Sequence, residues 1–380
     1  MKKTTTSVKV SFEKESACDF YNTLKERVHH FLNSNNLGPK ASLKGHTKSL
    51  FCVGLCVLLY TILVTAPFSK NLFVLFFAGF GFVAAVSVMN IAHDALHGSY
   101  AAKSKVNRAI GFFGDIFGPS TFFWRKEHTV DHHIFTNIAD HDADLGTTTL
   151  LRLCPNQKLK KIHRFQVFYA PLLYSINLIH WIFVSDYKRL YRIYALKNKK
   201  YPVPSFFELA MLGFFKTFHV ICFLYIPYKL QNFGFGTHLL AYLSFLSVLG
   251  LSLTTIFQLA HIVENVTFPL PNQDGKIFNT FAKHQLATTS NFGKKSRLVR
   301  FLFGGLSFQI EHHLFPHLYH GYLHLISPIV QKTAEEFDLP YFHQETIWKA
   351  IASHFKTLYR LGNPLKKPNS IGPLDLKGTV

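Results

Sequence analysis

The chain alternates long apolar runs with polar, basic stretches. Residues 49–68 (SLFCVGLCVLLYTILVTAPF) hold 20 positions without a charge, and residues 72–92 and 239–260 are equally uncharged. A bilayer core of about 30 Å takes about 20 helical residues, so each of these runs predicts a spanning helix. Residues 206–228 are apolar yet contain Glu208, Lys216 and His219. A charge at mid-bilayer is costly, so this stretch predicts a helix whose first half stands in the cytosol and whose second half is embedded. Residues 166–184 are apolar with Asn177 and His180 inside them, and predict an interfacial or re-entrant helix. The expected fold is an all-α membrane protein, with four transmembrane helices in two hairpins and a helical cap on the cytosolic side.

Composition and charge give that reading a direction. Of the 380 residues 48% are hydrophobic, with 40 Phe and 16 Tyr, and mean hydropathy is +0.13, yet the net charge is +20. A nucleic-acid binder would explain the charge but not the apolar runs. A membrane protein with basic cytosolic segments explains both. Of 41 Lys and Arg, nine fall in residues 1–48, sixteen in 98–204 and thirteen in 262–380. Two hairpins put all three segments and both termini on one side, which the charge bias makes the cytosol, whereas a five-span topology would split them. Cys18, Cys52, Cys56, Cys154 and Cys222 form no C-x-x-C pair. Cys52 and Cys56, one turn apart, read as small apolar residues of a span. Residues 1–47 are polar and mixed in charge, and read as a cytosolic segment rather than a signal peptide. The last stretch of about 20 residues, with Pro364, Pro368 and Pro373, reads as a loose tail.

Against this background the histidines are crowded. The second span ends in HDALH, where His93 and His97 share one helix face. HTVDHH places His128, His132 and His133 at i, i+4 and i+5. QIEHH, beyond the last span, places Gln309 with His312 and His313; His261 stands at the last span's end, and His284 follows in HQLATTSNF. All these positions fall on the side that charge alone assigns to the cytosol. One such cluster would be explained as well by packing, but three at helical spacing in one compartment point to bound metal. The clusters contain no cysteine, which removes thiolate zinc and iron–sulfur sites. H-E-x-x-H is absent, which argues against a zincin-type intramembrane protease. Seven cluster histidines exceed the four positions of one tetrahedral zinc and suit two ions of higher coordination number. Imidazole suits iron, copper, nickel and zinc, and iron is the choice if the chemistry uses oxygen.

In order and placement, HDALH, HTVDHH and QIEHH resemble the three histidine boxes of the membrane fatty acid desaturases. The resemblance covers roughly residues 48–330, which would be the desaturase domain between cytosolic segments 1–47 and 331–380. It extends to HGSY after the first box, W-R-K-E-H before the second, HHIFTN after it and GGLSFQIEHHLFP around the third. Glutamine at the first position of the third box is similar to the front-end desaturases, which place a double bond between an existing one and the carboxyl end, as in linoleoyl-type delta-6 enzymes. Many eukaryotic front-end enzymes carry a fused cytochrome b5 domain with H-P-G-G. That motif is absent here, so the resemblance is to shorter members served by a separate carrier of ferredoxin or cytochrome b5 type.

The resemblance implies a centre of two iron ions held by His93, His97, His128, His132, His133, His312 and His313, with His261 as a further ligand. Gln309 would ligate weakly, hold a metal-bound water or act through a neighbour. His284 would be a ligand or line the surroundings. Asp94, Asp131 and Glu311, and after them Asp142 and Asp144, would orient ligand imidazoles through the far ring nitrogen. His317 and His320 read as structural, and His29, His30, His141, His163, His180, His219 and His238 as solvated or packed. The substrate would be a fatty acyl chain carried by coenzyme A, acyl carrier protein or a lipid, bound in an apolar channel beside the bilayer; no nucleic acid is expected. A hydroxylase, acetylenase or ketolase would share the boxes. A histidine-rich metal transporter would hold its ligands at mid-span, not at span ends, and an inactive relative would not keep every box histidine.

Overall fold

This computed structural model describes residues 10–16, 19–146, 148–198 and 200–364. Cys18 and the tail from residue 365 onward lie outside them. Five helical segments are long and apolar enough to cross a membrane: Leu43–Thr65, Lys70–Leu96, Lys161–Tyr194, Phe206–Leu230 and Phe235–His261. The sequence reading counted four. Lys161–Tyr194, expected to be interfacial, meets the same length and hydropathy as the others. Ser42, Ser69 and Ser205 cap the N-termini of three of these helices with their side chains. Leu58, Leu75 and Leu240 point outward from the bundle, as suits helices solvated by lipid.

Two helices set the frame. Phe73 stands beside His238, Phe80 beside Phe245 and His93 beside Phe257, so Lys70–Leu96 and Phe235–His261 run parallel and finish at the same end. Gly81 permits this, because a Cβ there would lie 2.4 Å from the Phe245 carbonyl oxygen. Leu43–Thr65 runs back along the first of the pair, with Cys56 against Ser87 and Tyr60 against Phe80. Phe206–Leu230 is tied to it by Tyr60 Oη donating to Cys222 O at 2.7 Å and by Gln231 Nε2 donating to Leu63 O and Ala66 O. The polar residues of that helix are met inside the protein. Glu208 pairs with Arg108, Lys216 Nζ donates to Asp186 Oδ2, Gly118 O and Ile182 O, and His219 Nδ1 donates to Ile116 O.

Apart from Lys161–Tyr194, the rest forms a cap of shorter helices at the shared end of the long pair. The expectation of an all-α fold needs one correction: the cap contains two small parallel sheets. Ser11–Glu13 pairs with Lys276–Thr280, and Ser290–Phe292 with Phe342–Gln344. Each ribbon pins an outlying segment to the region between the last long helix and the third histidine cluster. The final helix, Ile347–Gly362, folds back under the cap, where His354 Nδ1 donates to Ile262 O and Tyr174 Oη meets His354 Nε2 at 2.9 Å.

Candidate metal centre

Each histidine cluster is carried by a different local device. The first sits where the Lys70–Asn90 helix breaks at Ile91, and the short turn Ala92–Leu96 directs His93 and His97 inward. The second begins as the helix Thr121–Lys126 and widens into a π-turn over Glu127–His132. Such wide turns concentrate at functional sites. Here the widening brings His132 and His133 both back towards His128, with ring centroids 5.5 and 4.7 Å away. Glu127, just before His128, is gripped by Arg189 through two hydrogen bonds of 2.8 and 2.6 Å, and accepts a third from Tyr201. The third cluster is the short helix Gln309–Leu314. It follows Gly304 and Gly305, both at positive φ, where a Cβ on Gly305 would lie 2.5 Å from His320 O. Glu311 turns away from the histidines and locks this helix in place, accepting from Asn291 Nδ2 and Tyr341 Oη.

The three devices bring seven imidazoles together, and His261 at the end of Phe235–His261 makes an eighth. His93, His97, His128 and His312 present ring nitrogens within 4.8 Å of one another, and so do His132, His261 and His313. His133 lies between the groups, with ring centroids 4.6 Å from His97 and His312 and 4.2 Å from His313. All eight are buried. The Nε2 atoms of His97, His132, His133, His261, His312 and His313 have no hydrogen-bond partner. Buried polar atoms are nearly always paired, and a set of orphaned nitrogens facing one another fits what a metal ion would need as donors.

Electrostatics agree with that fit. Burial, and after it the neighbouring imidazoles, hold His97, His128, His133, His312 and His313 well below the ordinary histidine value, so they stay neutral and keep a lone pair free. His132 differs. Burial would lower it too, but Asp142 and Asp144 outweigh burial and raise it to about 9. Its Nδ1 donates to Asp142 Oδ1 at 3.0 Å. His313 Nδ1 donates to Gln285 Oε1 at 2.9 Å, and His261 Nδ1 lies 3.4 Å from Thr288 O.

The other residues singled out in the sequence fall at varied distances from this cage. Gln309 is buried on the box helix with its Nε2 unpaired. His284 is buried, also with a free Nε2, but belongs to neither group of converging nitrogens. Asp94 binds His320 instead of a cage imidazole. Asp131 faces Lys126 and Lys200, and Glu311 binds the partners already named; Asp142 and, at 3.4 Å, Asp144 reach Nδ1 of His132. His317 Nδ1 donates to His97 O at 2.8 Å. Sequence reasoning passed over Gln285 and Asn137. Asn137, at φ 59°, receives Asp142 Oδ2 on its backbone N–H and donates from Nδ2 to His261 O and Thr267 O. It stands in HHIFTN, so its motif was visible though its role was not. Gln285 offered no signal, since its partner His313 is 28 positions away.

The chain is similar in sequence to known proteins. The family model described as Fatty acid desaturase matches residues 69–345. An acyl-lipid (8-3)-desaturase of Physcomitrium patens is 33% identical over 348 residues, covering 90% of this chain and 72% of that protein. An sn-1 linoleoyl-lipid 6-desaturase of Arthrospira platensis is 30% identical over 367 residues, covering 96% of this chain and 98% of that protein. A protein of the same description from Synechocystis is 30% identical over 350 residues, covering 90% and 95%.

Proposed function

The chain belongs to the fatty acid desaturase family, and from that premise we propose that it inserts a cis double bond into an acyl chain, between an existing double bond and the carboxyl end. It is a membrane-bound oxidoreductase. The observation that carries the reading is the convergence of three separate boxes into one buried cage of imidazoles with free Nε2 atoms. His93, His97, His128, His132, His133, His261, His312 and His313 would hold two irons. When bound, the irons would supply oxygen chemistry in which one O2 becomes two waters, taking two hydrogen atoms (two electrons and two protons) from the acyl chain, two electrons from an external carrier and two protons from solvent. Asp142 and Gln285 fix the tautomers of His132 and His313 so that Nε2 faces inward. Phe257 and Trp124 pack on His128 and keep water from that wall. The substrate is an acyl chain in lipid-linked, coenzyme A or acyl-carrier form, and the linoleoyl-lipid desaturases among the relatives favour the lipid.

The four-span topology with both termini and the cage in the cytosol is part of the same reading. Its support is where Lys161–Tyr194 is anchored. Near one end Gln166 Nε2 donates to Arg152 O and Leu358 O of the cap. Near the other, Arg189 grips Glu127 of the second box. A helix crossing the bilayer would have its ends on opposite sides; this one is fastened at one end to the loop of Arg152 and the final helix and at the other to the second histidine cluster. Phe206–Leu230 instead begins at the cap and ends beside Leu63 and Ala66. Residues 48–330 would then form the desaturase domain, flanked by cytosolic segments 1–47 and 331–380.

The test is the fatty-acid profile of cells that express the chain and are fed a dienoic acid, beside cells expressing His312→Ala. A new double bond on the carboxyl side, absent with the variant, is expected. A new bond elsewhere would discard the front-end reading, and a hydroxylated product would replace desaturation by hydroxylation on the same scaffold.

A further inference from the structure

The two groups of imidazoles are held in different ways. In His132, His261 and His313 each Nδ1 faces an acceptor of the protein: a carboxylate, a backbone carbonyl and a side-chain amide oxygen. Each Nε2 of this trio is buried and unpaired. The acceptors are themselves fixed. Asp142 accepts from the N–H groups of Asn137 and Asp144, and Gln285 Nε2 donates to His133 O. His93, His97, His128 and His312 have no such support: among the described residues no carboxylate, amide or carbonyl accepts from their rings. Their one ring hydrogen bond is internal, between His93 Nε2 and His128 Nε2 at 3.1 Å, and His93 Nδ1 is orphaned. The carboxylates adjacent to this quartet in sequence are all spent elsewhere, Asp94 on His320, Glu127 on Arg189 and Tyr201, and Glu311 on Asn291 and Tyr341.

An acceptor on the far nitrogen fixes the tautomer, stops the ring turning and raises its donor strength, and losing one costs roughly 10–100-fold in metal affinity or activity. We propose that the cage is built unequally: Asp142 and Gln285 are positioning residues that make the His132–His261–His313 subsite the firmly held half, so the two metal ions leave one after the other. This rests on the reading of the cage as a site for two irons.

The experiment follows iron release from purified, iron-loaded protein in detergent under excess chelator, without oxygen, with iron per chain measured before and after. Two phases are expected. Asp142→Asn should speed the slow phase roughly 10–100-fold and leave the fast phase in place. Asp142 also holds the turn over residues 137–144, so Gln285→Ala is the second variant; it leaves that turn untouched and should speed the same phase. Asp94→Asn should not change the slow phase. A merely structural role would speed both phases together. Release of two ions in a single phase, or variants that alter both phases alike, would overturn the proposal. Fewer than two ions per chain at the start would instead overturn the reading of the cage itself.

Discussion

The cage draws its imidazoles from two kinds of support. His93, His97 and His261 stand at the ends of two long parallel helices, and His128, His132, His133, His312 and His313 stand on short helices of the cap. The long pair is set by packing: a glycine against a backbone carbonyl, and Phe77 and Phe80 against Phe245. A short helix has no such surface and cannot hold itself. The cap helices are instead fastened by buried polar bonds, Arg189 to Glu127 in one and Asn291 and Tyr341 to Glu311 in the other. In lipid, apolar contact between helices gives little drive and close approach decides. In the cap, directional bonds decide. One site thus depends on two physical regimes, and damage to either should reach the metal.

The largest expected effect ignores the division. His312→Ala in the cap and His93→Ala on the long pair should each abolish turnover while the protein stays in the membrane, checked by product analysis and membrane fractionation. Full turnover in either variant would remove that residue from the ligand set. The next variants separate the regimes. Arg189→Ala leaves Glu127 and Asp186 short of their shared partner at a nearly buried site; removing one member of a buried pair costs about 3–5 kcal/mol. Thermal unfolding should show this loss, with iron content falling and the long helices kept. Gly81→Val forces the parallel helices apart, because its Cβ would meet Phe245 O at 2.4 Å. Overpacking of this kind costs about 3 kcal/mol, and here the loss should appear in helix association as well as in iron. Tyr341→Phe is the mildest. It takes one donor from the buried Glu311 carboxyl and should cost about 1–3 kcal/mol, with lowered iron occupancy and the spans untouched.

Much of this arrangement was legible in the chain. The uncharged runs gave the long helices because length and hydropathy are local properties. The box spacings brought the imidazoles together because i and i+4 put side chains on one helix face. The wide turn at Glu127–His132 was not legible, although HTVDHH needs it. Lys161–Tyr194 shows where composition stops: its hydropathy suits a span, and its bonds, from Gln166 to Arg152 O and Leu358 O and from Arg189 to Glu127, leave no trace in composition. The anchors of the imidazoles were half visible. Asp142 lies ten positions from His132 and was among the carboxylates considered, whereas Asp94 and Asp131, closer in sequence, turn to His320 and to lysines. Three-residue ribbons such as Ser290–Phe292 with Phe342–Gln344 leave no periodic trace, since their pairing joins segments some fifty positions apart.

The most direct test is the metal content and redox behaviour of freshly purified, active protein. The seven imidazoles in two groups, with His133 between them, predict two irons per chain, reducible by an added electron carrier, and loss of iron in His312→Ala. Stoichiometric zinc, inert to reduction, in protein that still turns over would contradict the account.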